Sequence, residues 1–369
     1  MQVVLLHFVT AFLPDTAEHA PPPLRALFDG HTAVYVFFLI SGAVLTPSFA
    51  RGGPWFRQAA KRVVRLGIPV VAAAIIALAL IAAMPEAHRS AASVTSSGWL
   101  AMDSSGAPTL QHLLHEILFD SLLLGYREYT LFTPIAEHLP LLETSLDAPF
   151  WSLHLELYGS LVVLALTLLR ARSSWAHRVA LLLCAVVFGT HPMFLFVLGH
   201  LCAGLLGRPP RALVGAVLIA AGLAMSARKD WVIVKTLRLA AGHATLTQVP
   251  NLFQFQSQMA ALALFLGVLL SPTARWLLSN APTRVLGQLS FSVYLLHFPL
   301  LFTLACAGFS PLAATLPYPV AVAIAFAGFL AATLVAAAIF ERWVDRFAIR
   351  AGRGIGFSAP SGSSRDRPR

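Results

Sequence analysis

Ionisable side chains lie inside or beside several long apolar runs of this sequence. His7 sits within V-V-L-L-H-F-V, Glu156 ends the block W-S-L-H-L-E, and Arg62 and Arg65 precede the apolar run that begins at Leu66. Burying such groups in a membrane is costly, and those that occur there usually bind or react. These side chains are therefore the first candidates for a catalytic or binding site.

The histidine suits acid–base chemistry. A neutral imidazole accepts a proton near pH 7, so His7 is a candidate general base; the alternative is a structural histidine that is hydrogen-bonded to a neighbour. Tyr294 and His297 share a helix face, where a structural hydrogen-bonded pair and a substrate contact are equally good interpretations. Glu156 needs a partner or a cavity inside a span, whereas Trp151 could be only a membrane-interface residue.

The two arginines suit phosphate binding. Arg62 and Arg65 form R-x-x-R, a spacing at which both side chains can point the same way on a helix. Two guanidinium groups can bind phosphates bidentately, although arginines beside a span also set topology and contact lipid headgroups. Asp29 and His31, at the other end of the preceding apolar run, could meet a hydroxylated substrate. The pattern predicts a membrane cavity with one basic mouth and one hydroxyl-binding mouth.

The sequence gives little support for a metal site, and we expect no metal. His112, His115 and Glu116 share a helix face, but two histidines and one glutamate without a third strong ligand are a weak signal. A solvated polar face is the better interpretation. The three cysteines lie within apolar runs and are expected to be core thiols rather than ligands or disulfides.

Composition identifies the class of protein that must position these residues. Of the 369 residues, 57% are hydrophobic and 11% are charged, and mean hydropathy is +0.75. Soluble domains contain about 25% charged residues, so the chain is an integral membrane protein with several spans. The net charge of +10 does not indicate a nucleic-acid partner, because the basic residues lie in short blocks between apolar runs. We expect no cleavable signal peptide.

The apolar runs predict an all-α, polytopic bundle of about ten transmembrane helices. The predicted helices are Val3–Leu13, Ala33–Ala50, Leu66–Met84, Phe150–Leu169, Val179–Gly189, Pro192–Leu206, Ala212–Ser226, Met259–Leu270, Leu289–Ala307 and Val320–Phe340. They form one membrane domain, 1–349, in which 85–149 is a long non-cytoplasmic loop with an amphipathic helix at Leu110–Leu124. The Gly-, Ser-, Arg- and Pro-rich tail, 350–369, is expected to be a disordered cytoplasmic segment.

The distribution of basic residues predicts the orientation. If the chain begins in the cytoplasm and crosses at each predicted helix, most of its 26 lysines and arginines fall on the cytoplasmic side. The positive-inside rule favours this arrangement, with both termini cytoplasmic and the protein in the inner or plasma membrane.

Five short motifs occur in order along the chain. They are His7 in the first helix, F-F-L-I-S-G-A at 37–43, R-V-V-R at 62–65, W-S-L-H-L-E at 151–156 and S-F-S-V-Y-L-L-H at 290–297. Together they resemble motifs of the acyltransferase-3 family of membrane acyltransferases, which often has a glutamate where Glu341 stands. Family members move acyl groups other than amino-acyl groups, often acetyl from acetyl-CoA, onto carbohydrates and other acceptors.

The resemblance implies transfer of a small acyl group, with acetyl as the expected group, from cytoplasmic acyl-CoA to a hydroxyl of a carbohydrate or other cell-envelope acceptor. His7 would be the general base that takes the hydroxyl proton. Arg62 and Arg65 would bind the CoA phosphates, while Ser41 and Gly42 would shape the helix on the donor side.

The resemblance also implies roles for the later motifs. Glu156 would belong to the catalytic group, either on the acceptor side or holding the tautomer of the histidine. Tyr294, His297 and Trp151 would contact the acceptor, which in many relatives is a lipid-linked or exported glycan. The donor acyl-CoA is then the only cofactor-like molecule required.

The sequence leaves two alternatives to an active acyltransferase and predicts a longer first helix. A proton-coupled secondary transporter would explain ionisable residues in spans, but it predicts inverted repeats and paired broken helices, which the sequence does not show. A relative that has lost catalysis is the other alternative. The first apolar run, Val3–Leu13, is short for a span, and the basic residue that the family places before His7 would precede Met1. We therefore expect an N-terminal extension in the native protein.

Overall fold

The computed structural model describes residues 1–101, 109–207, 209–228, 231–242 and 252–355, and this part of the chain is helical without a strand. The principal helices are α1 (Gln2–Phe12), α2 (Gly30–Ala50), α3 (Trp55–Ala83), α4 (Leu153–Arg172), α5 (Ser174–Phe188), α6 (Phe194–Cys202), α7 (Ala212–Ala227), α8 (Leu252–Leu270), α9 (Ala281–Leu300), α10 (Cys306–Thr315), α11 (Tyr318–Phe340) and α12 (Arg346–Gly354). π-Helical turns, Leu301–Ala305 and Glu341–Asp345, join α9 to α10 and α11 to α12.

Shorter helices and helical turns fill the connections. They are Pro14–His19, Pro22–Arg25, Ala26–Phe28, Ala87–Thr95, Gly98–Ala101, Leu110–His115, Glu116–Leu124, Thr133–His138, Leu142–Thr144, Ala148–Ser152, Ala203–Leu205, Val232–Gly242 and Pro272–Leu278.

The described residues contain six helices that are long and apolar enough to cross a membrane, or seven if the bent pair Ala212–Ala227 and Val232–Ala240 is one span. Each predicted apolar run corresponds to a helix, but three of these, Gln2–Phe12, Ser174–Phe188 and Phe194–Leu205, have only 10–17 residues. The count of about ten spans is therefore not reached by helix length. The helix Ser174–Phe188 stops early because the turn-forming sequence G-T-H-P follows it.

The basic segment before the predicted third span belongs to the same helix as that span. α3 begins at Trp55 rather than near Leu66, because the intervening Arg, Lys, Gln and Ala residues are good helix formers. Arg62 and Arg65 consequently occupy fixed positions on a long helix rather than on a loop.

Asp29 begins α2 and is a structural residue. Its carboxylate caps the helix by accepting from the backbone N–H of Thr32 at 3.2 Å, and it also accepts from the hydroxyl of Thr32 at 2.6 Å and that of Ser226 at 2.8 Å. It thus ties the start of α2 to α7. The predicted role of Asp29 at the mouth of a cavity is replaced by this capping network, since the side chain is buried.

Close backbone contact fixes α2, α4 and α6 against one another. A Cβ atom on Gly42 would lie 2.2 Å from the carbonyl oxygen of Phe196, and one on Gly199 would lie 2.3 Å from that of Leu39. The ring of Phe196 in turn fills the space beside Gly159 on α4. Gly42 therefore acts at a helix crossing, where only a glycine fits, and the crossing holds the neighbouring Ser41 towards α4.

The described residues between α3 and α4, 84–101 and 109–152, form short helices and turns. The predicted amphipathic helix is present as Leu110–His115, continuing as a π-helical segment, Glu116–Leu124. Glu116 is buried instead of solvated, and its carboxylate accepts a hydrogen bond from the hydroxyl of Tyr126. Burial raises the pKa of the Glu116 carboxyl to about 8 and raises the pKa of the buried Asp147 well above its ordinary value.

The first residues of the tail are helical, and the cysteines are not bonded to one another. Residues 350–354 continue α12, and the rest of the tail predicted as disordered, 356–369, lies outside the described residues. The three cysteines carry free thiols within the helical bundle.

Candidate active site

His7 and His297 form a hydrogen-bonded pair between α1 and α9, with nearly parallel ring planes. Nδ1 of His7 lies 3.0 Å from Nε2 of His297, and the ring centroids are 5.1 Å apart with an angle of 8° between the planes. The indole of Trp99 also stacks on the His7 ring, with centroids 5.4 Å apart. Two residues that the sequence singled out separately therefore belong to one site.

The hydrogen bonds of the pair define where the protons lie when both rings are neutral. Nδ1 of His297 is 2.9 Å from the carbonyl oxygen of Tyr294 and 3.0 Å from that of Val293. Because carbonyl oxygens only accept, this Nδ1 carries the proton and Nε2 of His297 carries a lone pair. That lone pair accepts the Nδ1–H of His7. Nε2 of His7 is then the basic nitrogen of the pair.

His7 lines a cavity with aromatic walls. This cavity has a volume of about 250 Å³. Among the residues that line it are His7, His31, Trp99, Tyr129, Trp151 and Tyr294. A neighbouring cavity of about 270 Å³ shares Trp99 and Tyr129 with it and adds the carboxylates of Glu128 and Glu143. Aromatic faces beside a few polar groups are typical of a site for a small organic molecule.

Tyr294 and Trp151 are held in the wall by contacts with the protein. The hydroxyl of Tyr294 donates to the carbonyl oxygen of Pro149 at 2.7 Å and lies 2.8 Å from the hydroxyl of Ser152. Trp151 packs on Tyr129 with ring centroids 4.4 Å apart. Two of the three predicted acceptor contacts thus line the same cavity as His7, in fixed positions. The third, His297, is buried against His7 and is not among the residues that line this cavity.

Glu156 lies one helical turn beyond Ser152 and belongs to a second polar group. Its Oε1 accepts from Nη2 of Arg62 at 2.7 Å and from the hydroxyl of Ser41 at 2.9 Å. No contact joins Glu156 to His7 in the described part of the chain. The structure therefore separates the two predicted catalytic residues into different groups.

This ion pair is buried and incompletely bonded. Arg62 is 8% exposed and Glu156 is 2% exposed. Nε of Arg62 and Oε2 of Glu156 have no hydrogen-bond partner among the described residues. Buried polar atoms are nearly always satisfied, so two unbonded atoms make this ion pair unusual for the interior of a bundle.

Arg62 and Arg65 both line a third cavity, of about 310 Å³, at the far end of α2. Lys61 lines it as well, together with Leu45 and Ser48 of α2. Leu45 and His31 are separated by roughly 20 Å along α2 at 1.5 Å per residue. The basic cavity and the histidine cavity therefore lie near opposite ends of the same helix, whereas the sequence predicted a single cavity with two mouths.

Sequence reasoning missed Trp99 and Tyr129. Both come from the segment between α3 and α4, which carries no long periodic pattern, and Trp99 lies in a four-residue helix, Gly98–Ala101. Their only sequence signal is that they are large aromatic residues within an otherwise polar stretch.

A metal site is not indicated, since the described residues contain no group of three or more His, Cys, Asp or Glu side chains placed to hold an ion.

Comparison with known proteins identifies the family to which this chain belongs. No curated protein and no solved structure matches the chain significantly. The family model described as an acyltransferase domain matches residues 1–341, which includes every site residue described above. With this match over most of its length and its bundle of apolar helices, the chain belongs to the acyltransferase-3 family and is a multi-pass membrane enzyme that transfers acyl groups.

Proposed function

We propose that the protein transfers a small acyl group, acetyl in the simplest case, from acyl-CoA to a hydroxyl group of a cell-envelope carbohydrate. The observation that carries this proposal is the His7–His297 pair, in which Nε2 of His7 is the basic nitrogen of a residue that lines an aromatic cavity, in a chain of this family. Aromatic walls suit the faces of a sugar ring, and the carboxylates of Glu128 and Glu143 suit its hydroxyl groups.

Nε2 of His7 would act as the general base. It takes the proton of the acceptor hydroxyl as the oxygen attacks the carbonyl carbon of the thioester. The C–S bond breaks, the CoA thiolate leaves and receives the proton from His7, and the products are an ester and CoA. His297 accepts the Nδ1–H of His7 throughout, so it keeps Nε2 directed at the acceptor.

The basic cavity would hold the donor. Its lysine and arginines suit the phosphate groups of CoA, which a guanidinium binds more strongly than an uncharged donor does. The roughly 20 Å between this cavity and the histidine cavity requires a donor with a long arm, and the pantetheine arm of CoA is one. Ser41, near the middle of α2, donates a hydrogen bond to Glu156 of α4. Glu156 also accepts one from Arg62 of the basic cavity.

The positive-inside rule supports an orientation with the basic cavity at the cytoplasmic face, where acyl-CoA is made. The histidine cavity would then open towards the opposite face of the cell membrane, together with the folded segment between α3 and α4. The acceptor would be a glycan, free or lipid-linked, that reaches this outer side.

The test is an assay of the purified protein in detergent with radiolabelled acetyl-CoA and a panel of cell-envelope glycans. The proposal predicts that one glycan class becomes labelled and that CoA thiol appears in equal amount. His7→Gln should slow transfer by about 10²–10⁴, the contribution of a general base. Labelled product formed at the full rate by His7→Gln would overturn the assignment of the base. If no CoA thiol is released with any acceptor, the proposal that acyl-CoA is the donor is wrong.

A further inference from the structure

The basic cavity has a wall that the sequence motifs do not include. Besides α2 and α3, it is lined by α12, through Ala348, Ile349, Gly352 and Arg353. These residues lie beyond the portion of the chain that the family model matches, which ends at residue 341. The wall therefore lies outside the matched part of the chain.

Small residues allow α12 to pack closely on α3. Ala348 and Gly352 are four residues apart, lie on one helix face and are buried. A Cβ atom on Gly352 would lie 3.6 Å from the carbonyl oxygen of Lys61, an ordinary contact distance. The backbone of α12 therefore runs directly beside the turn of α3 that carries Lys61 and Arg62.

This packing adds a cation to the cavity. Arg353 follows Gly352 and lines the cavity, whereas Arg350 of the same helix is exposed and does not line it. Lys61, Arg62 and Arg65 are the other cationic side chains of the wall, and no Asp or Glu is among the described residues that line it. Arg62 is paired with Glu156, and the Asp345 carboxyl lies near Arg65 without lining the cavity. Lys61, Arg65 and Arg353 therefore still leave a net positive charge for a ligand.

We propose that α12 closes the donor cavity and that Arg353, together with Lys61 and Arg65, binds the phosphate groups of the ligand. The inference rests on the proposed function for its choice of acyl-CoA as the donor. CoA carries a diphosphate and a ribose phosphate, so a cluster of three cations on two helices can contact separate phosphate groups. An anionic phospholipid headgroup presents the same chemistry, and the experiment below separates the two.

The experiment measures the affinity of the purified full-length protein for CoA by calorimetry, for the native chain and for single variants. Arg353→Ala should weaken binding about tenfold, the effect of one charge-assisted hydrogen bond at an exposed position. Arg65→Ala should weaken it to a similar or greater extent. Arg350→Ala is the matched control on the same helix and should leave the affinity unchanged, and Arg353→Lys should restore part of it because the charge is kept.

A second pair of variants tests the wall itself. Gly352→Ala should bind CoA normally because its Cβ makes an ordinary contact, whereas Gly352→Leu should force α12 away from α3 and weaken binding. Thermal unfolding of each variant in the same detergent shows whether the bundle is intact. Normal CoA affinity in both Arg353→Ala and Gly352→Leu would overturn the proposal.

The results distinguish this inference from the proposed function. If CoA binds and only Arg65→Ala weakens it, the inference is wrong and the proposed donor stands. If CoA does not bind to the native chain, but vesicles containing anionic phospholipid bind in a manner that requires Arg353, the ligand is a headgroup and the proposed donor is wrong. Loss of CoA affinity in Arg353→Ala, with unchanged affinity for such vesicles, supports both the role of Arg353 and acyl-CoA as the donor.

Discussion

At the scale of residues, the direction of one hydrogen bond decides which nitrogen of His7 can act as a base. Two backbone carbonyl oxygens hold the proton of His297 on Nδ1, and this forces the Nδ1–H of His7 to donate to His297. In the proposed mechanism His297 is therefore a positioning residue, because it would act on the reaction through His7.

His297→Ala should lower kcat by roughly 10- to 100-fold, the usual effect of removing a group that orients a functional side chain, and should leave the KM for acyl-CoA unchanged. His297→Gln should recover part of the loss, because its amide oxygen can accept the Nδ1–H of His7. The measurement is steady-state transfer by each variant. His177→Ala is the control, since that residue pairs with His200 in a separate group. Equal kcat for His297→Ala and the native chain would contradict the positioning role.

The buried pair of Arg62 and Glu156 makes the two arginines of R-x-x-R unequal. Removing Arg62 alone leaves the Glu156 carboxylate buried without its partner, so Arg62→Gln should destabilise the protein by about 3–5 kcal/mol. Combining it with Glu156→Gln should recover much of that stability, because no unpaired charge remains. Thermal unfolding in detergent measures both, with the exposed Arg65→Gln as the control. Destabilisation that is merely the sum of the two single effects would contradict the coupling.

At the scale of elements, the segment between α3 and α4 supplies two walls of the histidine cavity from a stretch that contains buried acids. Glu116 lies against Tyr126, with His112 3.7 Å from its carboxylate, and Asp120 accepts from Nδ1 of His115 at 2.7 Å. Burial raises the pKa of Glu116 to about 8 and raises that of Asp120, so the folded segment holds protons that the unfolded one releases.

Stability of this segment should therefore fall as the pH rises. An acid with a raised folded-state pKa contributes fully below its unfolded pKa of 4.5, and the contribution is lost as the pH passes 4.5 towards about 8. Limited proteolysis or hydrogen exchange corrected for its intrinsic pH dependence, at pH 5 and pH 8, should show less protection of residues 110–147 at pH 8. Glu116→Gln should reduce the difference. Greater protection at pH 8 would show that these carboxyls are ionised in the folded state.

The same elements show how far the sequence could predict the structure. Hydrophobic runs located the helices, and R-x-x-R located two arginines that line one cavity. Periodicity gives the face of a helix but not the neighbour on it, so the bonds of Glu156 to Arg62 and Ser41 could not be predicted. Burial of Glu116 was missed for a related reason, because its partner Tyr126 follows a turn rather than lying on the same helix face.

At the scale of the whole molecule, α2 connects two cavities of different chemistry. One end of the bundle has the His7–His297 pair beside aromatic side chains, and the other has a basic wall built from α3 and α12. The glycine crossing of α2 with α6 keeps the two ends at a fixed separation. An enzyme built in this way would bring a donor and an acceptor from opposite faces of the membrane to His7.

The most direct test of this account is acyl transfer in sealed membrane vesicles of known sidedness that carry the native glycans. Radiolabelled acetyl-CoA is added outside inside-out and right-side-out vesicles, prepared with the native chain or with His7→Ala, and the label in the glycans is measured. If acyl-CoA binds at the cytoplasmic face and His7 is the base, the glycans should be labelled in inside-out vesicles only. His7→Ala should reduce this labelling by about 10²–10⁴. Equal labelling by His7→Ala, or labelling of right-side-out vesicles alone, would contradict it.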